Sequence, residues 1–315
     1  MLARADVEAQ LRPAALIDEL ADGFRALSTG EVIAARRVGL DLVARGVTLV
    51  MAGRRPGGPV AVKTVSVVEA NAARGLPTHL AQIGLFDEAT GACLALLDGT
   101  HVTAARTAAT VALSVRLLAR PQARVATVVG AGVQAAGVAG MLCEVAHLDE
   151  IRVAGRDPAA AARLAADVPG AVVAPDVEAA VRGSDIVCLA TSSPAPVIRA
   201  DWVRPGTHVA SVGYAPPRGE LDPVLARAAS LFVESREAFL APPAGSAELA
   251  GLDADAATEL GEVVAGTRPG RHTPDEITVF KSMGHIVEDL VAATLVWRAA
   301  VAGGAGRVVA DFHLA

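Results

Sequence analysis

The sequence predicts an α/β protein in which a Rossmann dinucleotide-binding domain is joined to a smaller α+β domain. The chain has 315 residues, more than the roughly 100 to 200 residues of a usual single domain. Strands separated by turn residues fill its first third, whereas short apolar strands alternate with helical segments after Pro121. We therefore expect the smaller domain to contain residues 1–118 and 285–315, and the Rossmann domain to contain residues 119–284.

The smaller domain is predicted to begin with an amphipathic helix over Ala14–Leu27, where apolar residues recur at helical spacing. A second helix is predicted over Thr103–Leu118, because Pro121 follows and stops it. Between these helices, apolar segments separated by turn residues predict an antiparallel sheet. Its five strands are expected over Val38–Leu42, Val47–Met51, Val60–Val68, His79–Phe86 and Cys93–Leu97.

Strands that alternate with helices predict a parallel, doubly wound sheet in the second domain. These strands are expected near Val125, Ile151, Val172, Ile186, Val209 and Leu231, with helices such as Pro158–Ala166 and Val177–Arg182 between them. The segment from Gly251 to Pro274 is polar and irregular. A last apolar helix, over His285–Val301, is expected to return to the first domain.

One segment has the length of a membrane span. Val125–Cys143 contains nineteen residues without a charge, about the length that crosses a bilayer. Its four glycines and Gln134 instead favour a strand, a glycine loop and a helix. We therefore expect no membrane span there.

The composition excludes several classes of protein. The net charge is −6 without long runs of one sign, and aromatic residues make up 3% of the chain, so neither a basic surface nor stacking platforms for nucleic acid are expected. Cys93, Cys143 and Cys188 are far apart, and the N-terminus lacks an apolar signal segment. These features predict a cytoplasmic protein with reduced thiols, no metal site and a small-molecule partner.

A glycine-rich loop follows the strand at Val125. Gly130, Gly132 and Ala135, with Val133 and Gln134 between them, form a GxGxxA motif that opens a helix. In such a motif the first glycine permits a tight turn, the second lets the backbone approach a pyrophosphate, and the alanine permits close packing of the helix. The strand before and the helix after this motif favour dinucleotide binding over a simple glycine-rich turn.

The end of the next strand bears on the choice of cofactor. Sites for NAD place an acid there to bind the ribose hydroxyls, but this sequence has Gly155 followed by Arg156. A guanidinium pairs well with a 2′-phosphate, so we expect NADPH to be preferred over NADH. The alternative is that Arg156 is a solvated loop residue and that Asp157, a natural helix cap before Pro158, turns to the ribose.

Two basic residues are unusual in their surroundings. The chain has only two lysines, Lys63 and Lys281, and Lys63 lies in the middle of an apolar strand, where its pKa would respond to burial. Lys281 is more readily explained by a structural role before a helix. Arg106 lies on an apolar helix with no acid one turn away, so we expect a ligand carboxylate as its partner. Arg36 or Arg37 would supply a second guanidinium.

Three segments make the sequence resemble the ornithine cyclodeaminase/mu-crystallin family: AVKTVSVVEANAARGLPTHLAQIGLFDEATGACLALLDGTHVTAARTAATVAL, VVGAGVQAAG and ITVFKSMGHIVEDLVAA. The resemblance covers nearly the whole chain. It implies a homodimer in which the smaller domain serves for substrate binding and dimerisation. It also implies that Arg37, Lys63 and Arg106 hold a substrate carboxylate. The residues that it implies at the cofactor are Thr191, Ser192, Gly213, Met283 and Gly284.

The sequence departs from the cyclodeaminase branch of that family at two places. Tyr214 stands where cyclodeaminases resemble each other in carrying an aspartate, and the only acid between Arg37 and Lys63 is Asp41. Cyclisation of ornithine needs an anionic base near the amine, and a phenol with a pKa of about 10 is a poor base for this step.

The resemblance and this departure together favour one reaction. We expect an NADPH-dependent imine or ketimine reductase that acts on cyclic imino acids or forms amino acids by hydride transfer to an iminium carboxylate. A cyclodeaminase-type lyase and a non-catalytic, mu-crystallin-like protein that binds NADPH and a small ligand remain alternatives. Tyr214, His79, His101 and His285 could line the pocket, although a structural role is the commoner one for such histidines.

Overall fold

The computed structural model describes residues 1–43, 46–215 and 217–309. The chain forms two compact units. Unit 1 contains Met1–Arg106 and His285–Ala315, and unit 2 contains Thr107–Gly284. Within the described residues, no helix combines the length and the apolar character needed to cross a bilayer.

The first part of the chain alternates between helices and antiparallel strands. Its elements are α1 (Arg4–Gln10), α2 (Pro13–Ser28), β1 (Ile33–Ala34), β2 (Val38–Leu42), β3 (Gly46–Arg54), β4 (Val60–Val67), β5 (His79–Phe86), β6 (Cys93–Asp98) and α3 (Gly99–Leu118). The predicted helices and strands of this part are confirmed to within a few residues at each end. Helix α1 and the short strand β1 were not predicted.

The remaining elements are mostly strands followed by helices. They are β7 (Val125–Val129), α4 (Val133–Leu142), β8 (Glu150–Ala154), α5 (Pro158–Asp167), β9 (Ala171–Val173), α6 (Val177–Arg182), β10 (Ile186–Leu189), β11 (His208–Ser211), α7 (Pro223–Ala228), β12 (Ser230–Val233), β13 (Thr258–Glu259), α8 (Leu260–Ala265), β14 (Thr278–Lys281) and α9 (Ile286–Gly303). The membrane-length segment is a strand, a loop and a helix, as predicted. The segment expected to be irregular contains β13 and α8, and β14 precedes the last helix.

Unit 1 is built on an antiparallel sheet in the order β1-β3-β4-β5-β6, with β2 also paired to β3. Helix α9 packs against α2 and against β3, β4 and β5. Residues along β4 alternate between a buried and a less buried face, which is typical of a sheet with one covered side. Lys63 lies on the buried face, in register with Met51 and Ile83 of the neighbouring strands.

Unit 2 contains a parallel sheet in the order β13-β12-β14-β11-β10-β7-β8-β9. Strand β7 comes first in the chain, and later strands are added on both of its sides, so the strand order reverses between β7 and β10. Separate clusters of buried aliphatic side chains, such as those around Val128 and Val187, form the core of this unit. This arrangement confirms the predicted α/β class with a doubly wound sheet.

Candidate functional site

The glycine loop after β7 has the conformation that a phosphate site requires. Gly130 has a φ of +128°, and a Cβ on it would lie 2.3 Å from the carbonyl oxygen of Ala190, so only glycine fits there. Gly132 is the N-cap of α4, and no atom lies within 4 Å of the position that its Cβ would take. Ala135 is fully buried under the helix. The first amides of α4 therefore begin beside open space, which suits an anion.

The motif also contains Val133 and Gln134. Val133 is 72% exposed, so it does not contribute to the core. The buried Oε1 atom of Gln134 has no hydrogen-bond partner in the part of the chain that the structure describes. A buried polar atom without a partner at the start of α4 is compatible with a ligand at this loop.

The carboxyl ends of five parallel strands meet at this edge of unit 2. Their last residues lie in adjacent register positions across the sheet: Lys281, Ser211, Leu189, Val129 and Ala154. The loops that contain the sequence-predicted cofactor residues follow these positions directly. Ligands of doubly wound proteins bind at this edge, where the strand order reverses.

Glu220 joins two of these loops, and sequence analysis did not predict it. Its Oε2 accepts hydrogen bonds from the backbone N–H and the hydroxyl of Thr191, both at 2.7 Å. Its Oε1 accepts from Ser211 Oγ at 3.0 Å and from the N–H of Gly213 at 2.6 Å. Because a Cβ on Gly213 would lie 2.4 Å from the carbonyl oxygen of Thr191, the two loops approach each other more closely than any other residue would allow. Ser192, the next residue, is exposed.

Lys281, the last residue of β14, hydrogen-bonds to the loop after β11. It is fully buried, and its Nζ donates to the carbonyl oxygen of Gly213 at 2.7 Å and to Ser211 Oγ at 3.1 Å. The carboxylate of Glu248 forms an ion pair with it. Lys281 therefore has the structural role that the sequence favoured for it.

Met283 and Gly284 follow β14 at this edge. The N–H of Met283 donates to the carboxylate of Glu234, and Gly284 adopts a φ of +72°. This left-handed conformation favours glycine at the point where the chain turns into α9.

Arg156 is exposed in the loop after β8, directly behind Gly155. Asp157, the acid that could have turned to a ribose, is the N-cap of α5. Its Oδ1 accepts from the N–H groups of Ala159 at 2.9 Å and Ala160 at 3.1 Å. Capping therefore orients this carboxylate towards its own helix.

In unit 1, Lys63 is buried and forms an ion pair with an acid of α9. Its side chain is 1% exposed, and its Nζ donates to Asp289 Oδ1 at 2.7 Å. Burial lowers the pKa of Lys63 to about 8, while Asp289 acts in the opposite direction and Arg106 adds to the decrease. The charges of Lys63 and Arg106 hold the pKa of Asp289 below its ordinary value despite complete burial.

Arg106 also pairs with acids of α9, which the sequence analysis did not predict. Its Nη1 donates to Glu288 Oε2 at 2.8 Å, and its Nε lies 3.4 Å from Asp289 Oδ1. These acids lie 182 and more residues away in the chain, so a search for an acid one turn away could not find them. The signal available in the sequence was a pair of adjacent acids at the start of a mostly apolar helix.

His285 belongs to the same cluster. It is the N-cap of α9, and its Nδ1 accepts from the N–H of Val287, so the neutral ring carries its proton on Nε2. Burial lowers the pKa of His285 to about 4, and the positive charges of Arg37 and Arg106 contribute to this decrease. Arg37 and Arg106 therefore both lie near His285, and Arg106 also lies near Lys63.

The remaining candidate residues are His79, His101, Tyr214 and Asp41. The pKa of His79 is lowered by burial and then by the charges of Lys63 and Arg106, which places His79 near the cluster. His101 instead lies beside Glu8, with Nδ1 3.2 Å from its Oε1. Tyr214, in unit 2, is 37% exposed. Asp41 is exposed on β2.

A search of residues 1–43, 46–215 and 217–309 finds no group of three or more His, Cys, Asp or Glu side chains that could hold a metal ion. In unit 1, the buried cations Lys63 and Arg106 form ion pairs with Glu288 and Asp289 of α9. Arg37 adds a positive charge near His285. These three cations suit an anionic group of a small ligand.

Known proteins resemble this chain over most of its length. The sequence profile of the ornithine cyclodeaminase/mu-crystallin family matches residues 1–304. A Mus musculus protein named ketimine reductase mu-crystallin is 40% identical over 237 residues, which are 75% of this chain and 74% of that protein.

Two solved structures agree with the whole fold. The Thermococcus litoralis Δ1-pyrroline-2-carboxylate reductase in complex with NADH and L-proline is 33% identical, with a TM-score of 0.92 over 98% of this chain and 99% of that one. An archaeal alanine dehydrogenase dimer with bound NAD is 27% identical, with a TM-score of 0.90 over 99% of this chain and 98% of that one. The resemblance noted in the sequence is thus confirmed: the chain belongs to the ornithine cyclodeaminase/mu-crystallin family.

Proposed function

We propose that this protein is an NAD(P)H-dependent reductase that converts cyclic imino acids, such as five- and six-membered ketimine carboxylates, into the corresponding amino acids. The observation that carries the proposal is the cluster of unit 1, in which Glu288 and Asp289 hold the buried cations Lys63 and Arg106 and Arg37 adds a positive charge near His285. The relatives named for ketimine and pyrroline-2-carboxylate reduction support it.

The residues of the cluster have distinct tasks in this proposal. Arg106 and Arg37 bind the substrate carboxylate, because guanidinium groups hold carboxylates through two parallel hydrogen bonds. Lys63 adds an ammonium that can bind the same carboxylate or give a proton to the imine nitrogen. The two acids of α9 keep Lys63 and Arg106 oriented while no substrate is bound.

The nicotinamide cofactor supplies the hydride for the reaction, and residues of unit 2 fit it. Gly130, Gly132, Val133, Gln134 and Ala135 would hold the pyrophosphate through the start of α4. Thr191, Ser192, Gly213, Met283 and Gly284 would line the nicotinamide end, because they follow the neighbouring strands β10, β11 and β14 at the same edge.

We also propose that NADPH is preferred over NADH. Arg156 is exposed beside Gly155, where no acid would repel a 2′-phosphate, and Asp157 is oriented towards α5. The expected preference is at least about tenfold in dissociation constant, or about 1.4 kcal/mol. Fluorescence titration of both cofactors tests it, with Arg163→Ala on α5 as a matched control. Equal affinities in the wild type, or an unchanged ratio in Arg156→Ala, would contradict this assignment.

The reaction is tested by following NADPH oxidation with Δ1-pyrroline-2-carboxylate and Δ1-piperideine-2-carboxylate. Open-chain α-keto acids with ammonia or methylamine serve as the comparison, and we expect cyclic imines to react faster because no amine has to be captured. If NADPH binds but no imine or keto acid consumes it, the protein is a binding protein for NADPH and a small carboxylate. Rapid formation of proline from L-ornithine would instead indicate a cyclodeaminase.

We further propose that the protein is a homodimer formed by unit 1. The less buried face of the antiparallel sheet carries large apolar side chains, including Val38, Leu40 and Leu80, which are 55%, 59% and 47% exposed. Such a patch suits a second copy of the chain, and the archaeal relative is described as a dimer. Light scattering should give twice the chain mass of 31.9 kDa for the wild type and the monomer mass for Leu40→Glu/Leu80→Glu. A monomeric wild type would refute the proposal.

The cytoplasm is the compartment that we propose. Cys93, Cys143 and Cys188 are all free thiols, and burial raises the pKa of Cys188 to about 12. Free thiols are typical of reducing compartments. Fractionation of the source cells would test this location.

A further inference from the structure

Lys63 depends on a single hydrogen-bonded acid inside unit 1. Its ammonium lies on the buried face of β4, and the hydrogen bond to Asp289 Oδ1 is the one ion pair that it forms within the described residues. Asp289 is itself fully buried, and its Oδ2 has no hydrogen-bond partner in the described part of the chain. The negative charge of Asp289 is therefore directed at Lys63 and at Arg106 Nε, which lies 3.4 Å away.

The other charged groups around Lys63 do not replace Asp289. Arg106 on α3 is positive and opposes a second positive charge beside it. Glu288 on α9 is negative, but its Oε2 accepts from Arg106 and its Oε1 accepts from the N–H of His285. His79 on β5 has a lowered pKa, and it carries no negative charge in either protonation state, so it cannot replace Asp289.

A buried ammonium without a counter-ion gives up its proton, and buried lysines have pKa values as low as about 5 to 6 for this reason. The pKa of Lys63 is about 8, because Asp289 offsets part of the effect of burial and of Arg106. Without the charge of Asp289, desolvation and Arg106 would act together and Lys63 would be largely neutral at pH 7.

We propose that Asp289 is the positioning residue that keeps Lys63 in its ammonium form and fixes its direction, so that Lys63 can act on an anionic substrate. This inference rests on the proposed reductase function only for its kinetic consequence. Binding a carboxylate and giving a proton to an imine both need the ammonium, so Asp289 would set the pH above which activity is lost.

The composition of the chain permits a direct test. Lys63 and Lys281 are the only two lysines, so a protein labelled with [¹³Cε]lysine gives two lysine Cε signals, and Lys63→Arg assigns them. In the wild type the Lys63 signal should be that of an ammonium at pH 7 and should titrate near pH 8. In Asp289→Asn its midpoint should fall by at least about one pH unit. Lys281 is the internal control, and its signal should not change between the two proteins.

Two further variants separate charge from packing. Glu288→Gln removes the neighbouring acid and should lower the Lys63 midpoint by less than Asp289→Asn does, since Glu288 contacts Arg106 instead. Asp289→Glu keeps the charge and should restore most of the wild-type midpoint. In the kinetic readout, the alkaline limb of kcat/KM for the imine should move with the Lys63 signal, and KM should carry most of the change.

Each outcome decides the inference. A neutral Lys63 in the wild type at pH 7 overturns it even if Asp289→Asn does not fold, and so does an unchanged midpoint in a folded Asp289→Asn. Failure of the proposed function has a different signature, because the wild type would then consume no NADPH with any imine while the Lys63 signal still titrates. An alkaline limb that stays in place while the Lys63 signal moves would remove Asp289 from the reaction.

Discussion

Replacing Arg106 by alanine should affect stability and activity through the same contacts. The Arg106 side chain is 7% exposed and holds Glu288 Oε2 at 2.8 Å and Asp289 Oδ1 at 3.4 Å. Its removal takes away the guanidinium that faces two fully buried carboxylates, of which Asp289 keeps its ion pair with Lys63. Breaking a buried pair in this way costs about 3 to 5 kcal/mol of the free energy of unfolding.

The effect of Arg106→Ala on catalysis is expected to differ in size from the effect on stability, and it is measured by a different assay. Loss of a charge-assisted contact that strengthens in the transition state costs about 2 to 4 kcal/mol, or about thirty- to a thousandfold in kcat/KM. Stability is measured by urea unfolding followed by circular dichroism. The value of kcat/KM is measured without urea, at a low temperature at which the variant is folded. Lys63→Ala should cause a similar loss, with a larger share in kcat if Lys63 gives the proton.

Arg4→Ala is the matched control. Arg4 also pairs with a glutamate, Glu8, at 2.6 Å, but its side chain is 73% exposed, so solvent screens the pair. We expect no measurable change in this variant. If Arg106→Ala and the wild type have the same urea midpoint of unfolding, the buried ion pairs do not stabilise unit 1. If its kcat/KM falls no further than that of Arg4→Ala, Arg106 does not bind the substrate carboxylate.

Three other predictions follow from the site. L-ornithine with NAD should give no proline at about 1 per second or faster, because Tyr214 replaces the acid that cyclisation needs; such a rate would restore the cyclodeaminase assignment. Glu220→Ala should weaken cofactor binding by about tenfold or more, because Gly213 and its neighbouring loop lose their shared acceptor; an unchanged dissociation constant would exclude this role. Burial lowers the pKa of His208 to about 3 and that of His285 to about 4, against 6.5 for a free histidine. Below pH 6.5 the unfolded chain therefore binds more protons than the folded one. As the pH is lowered from about 6.5 to 4, the free energy of unfolding should fall by up to about 1.4 kcal/mol per pH unit for each histidine. Urea unfolding over that range should show a smaller slope for His208→Gln, and an equal slope would contradict the assignment.

Local patterns determined most of the fold that could be predicted. The strand, loop and helix at Gly130 are contiguous, so spacing and residue type suffice to predict them. Strand β14 was missed because Thr278–Lys281 is a fully buried segment of only four residues that leads into a helix, and periodicity cannot distinguish a strand from a helix over that length.

The partners of the predicted site residues were less accessible to sequence analysis. Lys63 and Arg106 stand out because charged side chains are rarely placed among apolar ones. The acid that pairs with Lys63 lies 226 residues further along the chain, and only the packing of α9 against β4 brings the two together. Spacing rules describe neighbours in sequence, and they contain no information on such a contact.

The start of α9 links this charge cluster to the architecture of unit 1. Glu288 closes the cap of the helix by accepting from the N–H of His285 at 2.6 Å, and its other oxygen accepts from Arg106. Acids in a first helical turn are favoured by the helix dipole, and Asp289 is the second acid in that turn. The residues that begin the helix are therefore the residues that balance Lys63 and Arg106. A substitution that shifts the start of α9 would move both carboxylates, so the orientation of the two cations depends on acids that lie 182 and 226 residues further along the chain.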